Sequence, residues 1–145
     1  MPERAKRHKH YVKALQLTGV TPIFGEFKNK DKFSYNCKTR YKSHEEKETD
    51  VNIAVQLFQT AINDRYDTAI IVSGGSDLVP DIRGVKNTFP DKIIKVVIPP
   101  GIHADNLKQV SDGPSKIKKK HLRTSQFDDP LRINNLELPC PSEWK

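Results

Sequence analysis

Thr68-Ala-Ile-Ile-Val72 is an unbroken apolar run, followed at once by Ser73-Gly-Gly-Ser76. A short apolar run bounded by a tight turn predicts a central strand buried on both faces. The turn opens a helix over Asp77 to Val85, with Pro80 tolerated in its first turn. A second buried strand follows over Lys92 to Ile98, and Pro99-Pro100-Gly101 ends it. Upstream, Val51, Ala54, Val55, Phe58, Ala61 and Ile62 form one apolar stripe on a helix from Asp50 to Asn63, capped by Thr49 or Asp50. Strands alternating with helices in this way imply a parallel α/β unit with right-handed connections.

The flanks are read by the same means. Tyr11, Ala14, Leu15 and Thr18 fall at helical spacing over Arg4 to Thr18, and Gly19 can close the last turn. Val20 to Phe24 reads as a short strand, Lys28 to Lys32 as a polar turn, and Phe33 to Tyr41 as an exposed extension or hairpin arm. His103 to Val110 reads as a short helix, and Asp112-Gly-Pro114 breaks the chain before a basic stretch, Lys116 to Arg123. From Thr124 the pattern is weak and Pro-rich, which suggests a tail, residues 124–145, packed on a single domain of residues 1–145. A chain of 145 residues is long enough to bury a real core.

Lys and Arg number 25 against 18 Asp and Glu, a formal net charge of +7. That excess favours a polyanionic partner, most simply nucleic acid. Cys37 and Cys140 stand far apart with no Cys-x-x-Cys pair, so neither a zinc ribbon nor a disulfide framework is indicated. A reducing cytoplasm is the expected setting. No apolar run reaches the length of a membrane span, so no membrane partner is expected.

Two acids stand out. Asp50 opens one helix, and Asp77 follows the strand and glycine turn that open another. Each also reads as an ordinary first-turn acid facing a helix dipole. Their shared kind of location favours more: in an open α/β sheet such positions converge at the carboxyl ends of the strands, where ligands bind. Separated carboxylates brought together there can hold Mg²⁺ or Mn²⁺ for phosphodiester hydrolysis. Ser73 to Ser76 admits a rival reading as a phosphate cradle. The chain lacks Gly-x-Gly-x-x-Gly and has no Lys-Ser/Thr after the glycines, so the dinucleotide and P-loop fingerprints are absent. Lys116, Lys118, Lys119, Lys120, His121 and Arg123 form the densest basic cluster, and Arg4, Lys6, Arg7, Lys9 and Lys13 a second. Either can track a phosphate backbone, and either also suits a solvated face. Lys47 lies among the acids.

Glu45-Glu-Lys-Glu-Thr-Asp-Val-Asn-Ile-Ala-Val55, Tyr66-Asp-Thr-Ala-Ile-Ile-Val-Ser73, Ser76-Asp-Leu-Val-Pro80 and Phe89-Pro90 together closely resemble the NYN domain, a branch of the PIN-like nucleases. The resemblance implies a three-layer PIN-like (Rossmann-like) α/β fold with a mostly parallel central sheet. It also implies a Mg²⁺- or Mn²⁺-dependent ribonuclease ancestry. By motif, Asp50 and Asp77 match metal-site acids, Glu46 the acid that opens the first string, and Ser73 the serine that ends the central strand. The expected RNA contacts are Lys47, Lys116, Lys118, Lys119, Lys120 and Arg123.

Two departures bear on activity. The family's early strand, with its Asp, has no counterpart here, and Gly75 stands where a further metal-site carboxylate is expected. Losing two carboxylates weakens a Mg²⁺ site, because few protein ligands hold that ion to begin with. The missing strand would also bare the flank of a central strand, which a homodimer could cover. The alternatives to a ribonuclease are therefore a catalytically inactive RNA-binding domain and a protein-interaction scaffold.

Overall fold

The computed structural model describes residues 2–144. The chain divides into two compact units, a larger one over Phe24–Lys119 and a smaller one formed by the segments on either side of it.

The larger unit opens with an antiparallel hairpin, β1 (Glu26–Ser34) and β2 (Thr39–Lys47). Helix α2 (Thr49–Ile62) follows; helix α1 (Pro2–Leu17) belongs to the smaller unit. Strand β3 (Thr68–Val72) leads through a 3-10 turn, Ser76–Leu78, into α3 (Val79–Thr88). Strand β4 (Ile93–Ile98), helix α4 (Asp105–Val110) and strand β5 (Gly113–Lys116) complete it. The three strands form one parallel sheet in the order β3-β4-β5. The parallel α/β unit expected from the two apolar runs is thus present.

The core sits on one face of this sheet. Ile94, Val96 and Ile98 of β4 are fully buried against Leu57 and Ala61 of α2, Ile82 and Val85 of α3, and Leu107 of α4. Side chains alternate across a strand, so the next face carries Ile70, Val72 and Ile93. These are 65%, 59% and 42% exposed. The expectation of strands buried on both faces is therefore corrected. The runs are apolar on both faces, but the helices of this unit's core cover one. Strand β3 lies at the sheet edge, with β4 as its neighbour among the described residues.

Polar groups tie the layers. Asp112 accepts from the Ile94 backbone N–H at 2.8 Å and from the Lys86 ammonium of α3. Both contacts hold its carboxyl below the usual carboxylate range, the Lys86 hydrogen bond most of all. Lys92, before β4, pairs with Asp64 and lies 5.6 Å from the Tyr66 ring centroid.

The smaller unit holds α1 (Pro2–Leu17), most of α5 (Lys119–Thr124), a hairpin of β6 (Leu131–Ile133) and β7 (Leu136–Leu138), and a closing 3-10 turn, Ser142–Trp144. Trp144 meets Tyr11 of α1 edge-on, with centroids 6.3 Å apart. The His10 ring nitrogen Nε2 lies 2.7 Å from the Pro139 carbonyl oxygen, and the Cys140 N–H donates to Asp129.

Three local expectations fail. Val20 to Phe24 forms no strand. Lys28 to Lys32 is the middle of β1, and the turn falls at Tyr35 to Lys38, where Lys38 takes a positive φ of 50°. Polar composition suggested a turn, but in a fully solvated ribbon polar residues are ordinary strand residues. The position before α2 belongs to Glu48, at φ 76°, and no side chain caps that helix. The Thr49 hydroxyl, expected to cap, donates instead to Glu46.

Candidate functional site

Asp50 lies in the first turn of α2, and Asp81 in the first turn of α3. Helix N-termini carry partial positive charge, which favours carboxylates at both places. Asp81 feels the charge of Asp50. Burial, first, and the Asp50 charge, second, push the Asp81 carboxyl above the usual carboxylate range. A proton or a cation relieves such a like-charge pair.

Asp81 was not among the sequence-predicted site residues. Its signal was present: it stands four residues after Asp77, one helical turn on, within the segment already expected to be helical. What concealed it was its apparent role as an ordinary residue of the Asp77-to-Val85 helix. The actual start of α3 at Val79 puts Asp81 in the first turn and leaves Asp77 in the preceding 3-10 turn, exposed.

Asp50, Glu46, Lys47 and Thr49 line one depression of about 350 Å³ where β2 runs into α2. Ser76 and Gly74 line another, of about 290 Å³, with His103 and Asp105. The expected acids are thus distributed: Asp50 and Glu46 share one depression, and Asp77 lines neither. Among the described residues, no three His, Cys, Asp or Glu side chains are grouped to hold a metal ion.

Ser73 is engaged in the turn, its hydroxyl accepting from the Gly75 N–H at 3.1 Å. The two glycines of that turn differ. A Cβ on Gly74 would lie far inside van der Waals contact with Ile102, which would have to shift to admit it. A Cβ on Gly75 would meet Ser73 Oγ at an ordinary 3.6 Å, and φ −77°, ψ 121° suits any residue. A carboxylate at Gly75 is therefore sterically admissible.

The predicted RNA-binding cations are also spread. Lys47 pairs with Glu45 at 3.4 Å. Lys116 ends β5, exposed, and helps to lower the pKa of Asp105, after the larger effect of Lys108. Lys116, Lys118 and Lys119 belong to the larger unit, Lys120 and Arg123 to the smaller.

A parallel α/β sheet with paired carboxylates at neighbouring helix mouths defines a protein whose candidate site lies beyond the ends of its strands. The chain belongs to the NYN domain family, a branch of the PIN-like nucleases, and the family match covers residues 3–117. It is similar in fold to a crystal structure of a protein of unknown function from Vibrio parahaemolyticus. That similarity has 17% identity and a TM-score of 0.53, over 77% of this chain and 61% of that one. The chain thus spans about three-fifths of the length of that structure. No curated protein matches it. Among the described residues, no helix is long and apolar enough to cross a membrane.

Proposed function

We propose that this chain is a divalent-metal-dependent ribonuclease domain of PIN-like (Rossmann-like) fold that hydrolyses RNA phosphodiesters. The observation that carries the reading is the Asp50–Asp81 pair. A half-buried carboxylate, Asp81, whose proton affinity burial and the neighbouring Asp50 charge both raise, sits with Asp50 at adjacent helix mouths, an arrangement that a cation stabilises. The donor set suits Mg²⁺ or Mn²⁺, since Mg²⁺ is commonly held by one or two carboxylates together with water and substrate phosphate. Asp50 and Asp81 would hold the ion, with Asp77 and Glu46 supporting. The chemistry a bound ion supplies is charge neutralisation on a scissile phosphate and orientation of water. The chain's own contribution is to set the acids at helix N-termini, where ionised carboxylates are favoured. Lys47, Lys116, Lys118, Lys119, Lys120 and Arg123 are the cations assigned to the RNA backbone. The reading includes a cytoplasmic setting and a homodimer along the β3 edge, the latter supported by the position of β3 at the end of the sheet.

A second reading, RNA binding without cleavage, has its own support. No three-carboxylate group is assembled among the described residues, and Gly75 supplies no acid. Cleavage of labelled RNA in Mn²⁺, with Asp50→Asn and Asp81→Asn as controls, separates the two. Metal-dependent cutting lost in both variants supports the nuclease; salt-sensitive binding with no cutting supports the binder.

A further inference from the structure

Strands β1 and β2 pair over nine residues each, from Glu26↔Lys47 to Ser34↔Thr39. At about 3.4 Å per residue the ribbon reaches roughly 30 Å. None of its residues is buried. A two-stranded ribbon with no covered face gains little from its own packing, so its surface chemistry is the informative property.

That chemistry is graded along the arm. The base is charge-balanced, three Glu against three Lys, and internally paired: Lys30 with Glu45 at 2.8 Å, Lys28 with Glu26 at 3.3 Å, Lys47 with Glu45 at 3.4 Å. The tip is cationic. From Asp31 to Lys42 there are four cations, Lys32, Lys38, Arg40 and Lys42, against the one carboxylate of Asp31. None of those four is in an ion pair of the described residues.

Aromatic rings interleave with these charges. Phe33, Tyr35 and Tyr41 are 48%, 85% and 50% exposed. Phe33 and Tyr35 meet edge-on, centroids 5.2 Å apart. The register sets Phe33 opposite Arg40 and Lys32 opposite Tyr41. Direct cross-strand partners share a face, and successive positions alternate. Each face of the tip therefore presents an aromatic ring beside a cation.

We propose that the tip of this hairpin is a binding finger for single-stranded RNA, with Phe33, Tyr35 and Tyr41 stacking on bases and Lys32, Lys38, Arg40 and Lys42 holding phosphates. Charge and rings select this occupant together. Cations alone would suit any nucleic acid, but aromatic side chains stack only on bases already unstacked, which excludes the A-form duplex. The proposal rests on the reading that the chain acts on RNA, and it places the docking surface away from the carboxylates. It assigns residues outside the basic run at Lys116 to Arg123.

The test is fluorescence anisotropy of a labelled twelve-nucleotide oligouridine with the full chain, in EDTA so that no cleavage intervenes. Tyr35→Ala and Phe33→Ala should each weaken binding by about fivefold to a hundredfold, the range for losing one stacked base. Arg40→Gln with Lys42→Gln should reduce the salt slope by about 1.4, near 0.7 per phosphate contact on a single strand. Unlabelled duplex RNA should compete poorly. Unchanged circular dichroism confirms that the exposed substitutions leave the fold intact. If both aromatic variants bind as the unaltered chain does, while Lys116→Gln with Lys119→Gln loses binding, the finger is refuted and the RNA reading stands. If the tip variants lose binding but Mn²⁺-dependent cleavage is never seen, the finger stands and the nuclease reading falls. A chain that binds no single-stranded RNA overturns both. Concentration-dependent dimers that Tyr35→Ala dissociates, with RNA affinity unchanged, would assign the tip to a second copy and overturn the proposal.

Discussion

Gly74 and Gly75 are adjacent and chemically identical, yet alanine should affect them in opposite directions. At Gly74 the added methyl drives into Ile102 Cγ2, with Ile102 Cβ at 3.3 Å behind it. Relief requires Ile102 to move, and overpacking of this kind costs about 1–3 kcal/mol. For a domain of this size each kcal/mol shifts Tm by about 2–4 °C. The expected loss is thus about 2–12 °C. At Gly75 the methyl meets Ser73 Oγ at 3.6 Å, and the backbone already lies in the extended region open to any residue. Gly75→Ala then acts through the unfolded chain, removing conformational freedom worth about 0.4–1 kcal/mol. The expected gain is about 1–4 °C. Differential scanning calorimetry on the two single variants reads both signs. Equal losses at the two positions would refute the turn geometry, and with it the claim that Gly75 can accept a carboxylate.

Asp81→Asn should raise Tm at neutral pH. The folded-state pKa of Asp81 is raised by burial and by Asp50, so its favourable contribution is complete only below the unfolded carboxylate pKa and is lost as pH rises through the folded value. Thermal melts of the two proteins should converge near pH 3, and Mn²⁺ should raise the Tm of the unaltered chain but not of Asp81→Asn. Asp112 is the opposite case. Its folded pKa is lowered by Lys86 and the Ile94 N–H, so its stabilisation is present above the unfolded pKa and lost as pH falls through the folded value. Asp112→Ala should cost about 1–3 kcal/mol in urea titrations at pH 7, for losing hydrogen bonds to a charged group, and less as pH falls. Ile82→Ala removes a fully buried side chain between α2, α3 and the sheet and should cost about 2–5 kcal/mol by the same titration.

The elements most legible in the sequence are those whose period and burial agree. The apolar stripe on α2 and the run in β4 were placed within a residue or two, because core packing enforces the periodicity that sequence displays. The stretch from Phe33 to Tyr41 was legible as an exposed extension or hairpin arm, but the hairpin's length was not, since a ribbon exposed on both faces has no buried alternation to mark its strands. The one-sided burial of β3 was hidden by composition: Ile70 and Val72 are apolar whether covered or bare. The place of Asp50 in the first turn of α2 was legible from its position before the stripe. The charge interaction of Asp81 with Asp50 was not, because it joins two helices remote in sequence. The split of the basic residues across two compact units was likewise invisible in a contiguous run of lysines.

Cleavage of a labelled single-stranded RNA in Mn²⁺ tests the central claim most directly, with the unaltered chain, Gly75→Asp, Asp50→Asn and Asp81→Asn run in parallel and EDTA as control. The account predicts slow, EDTA-sensitive cutting by the unaltered chain, faster cutting by Gly75→Asp, and loss of activity in both asparagine variants. Silence from the unaltered chain and from Gly75→Asp alike, or cutting that survives Asp50→Asn, would contradict it.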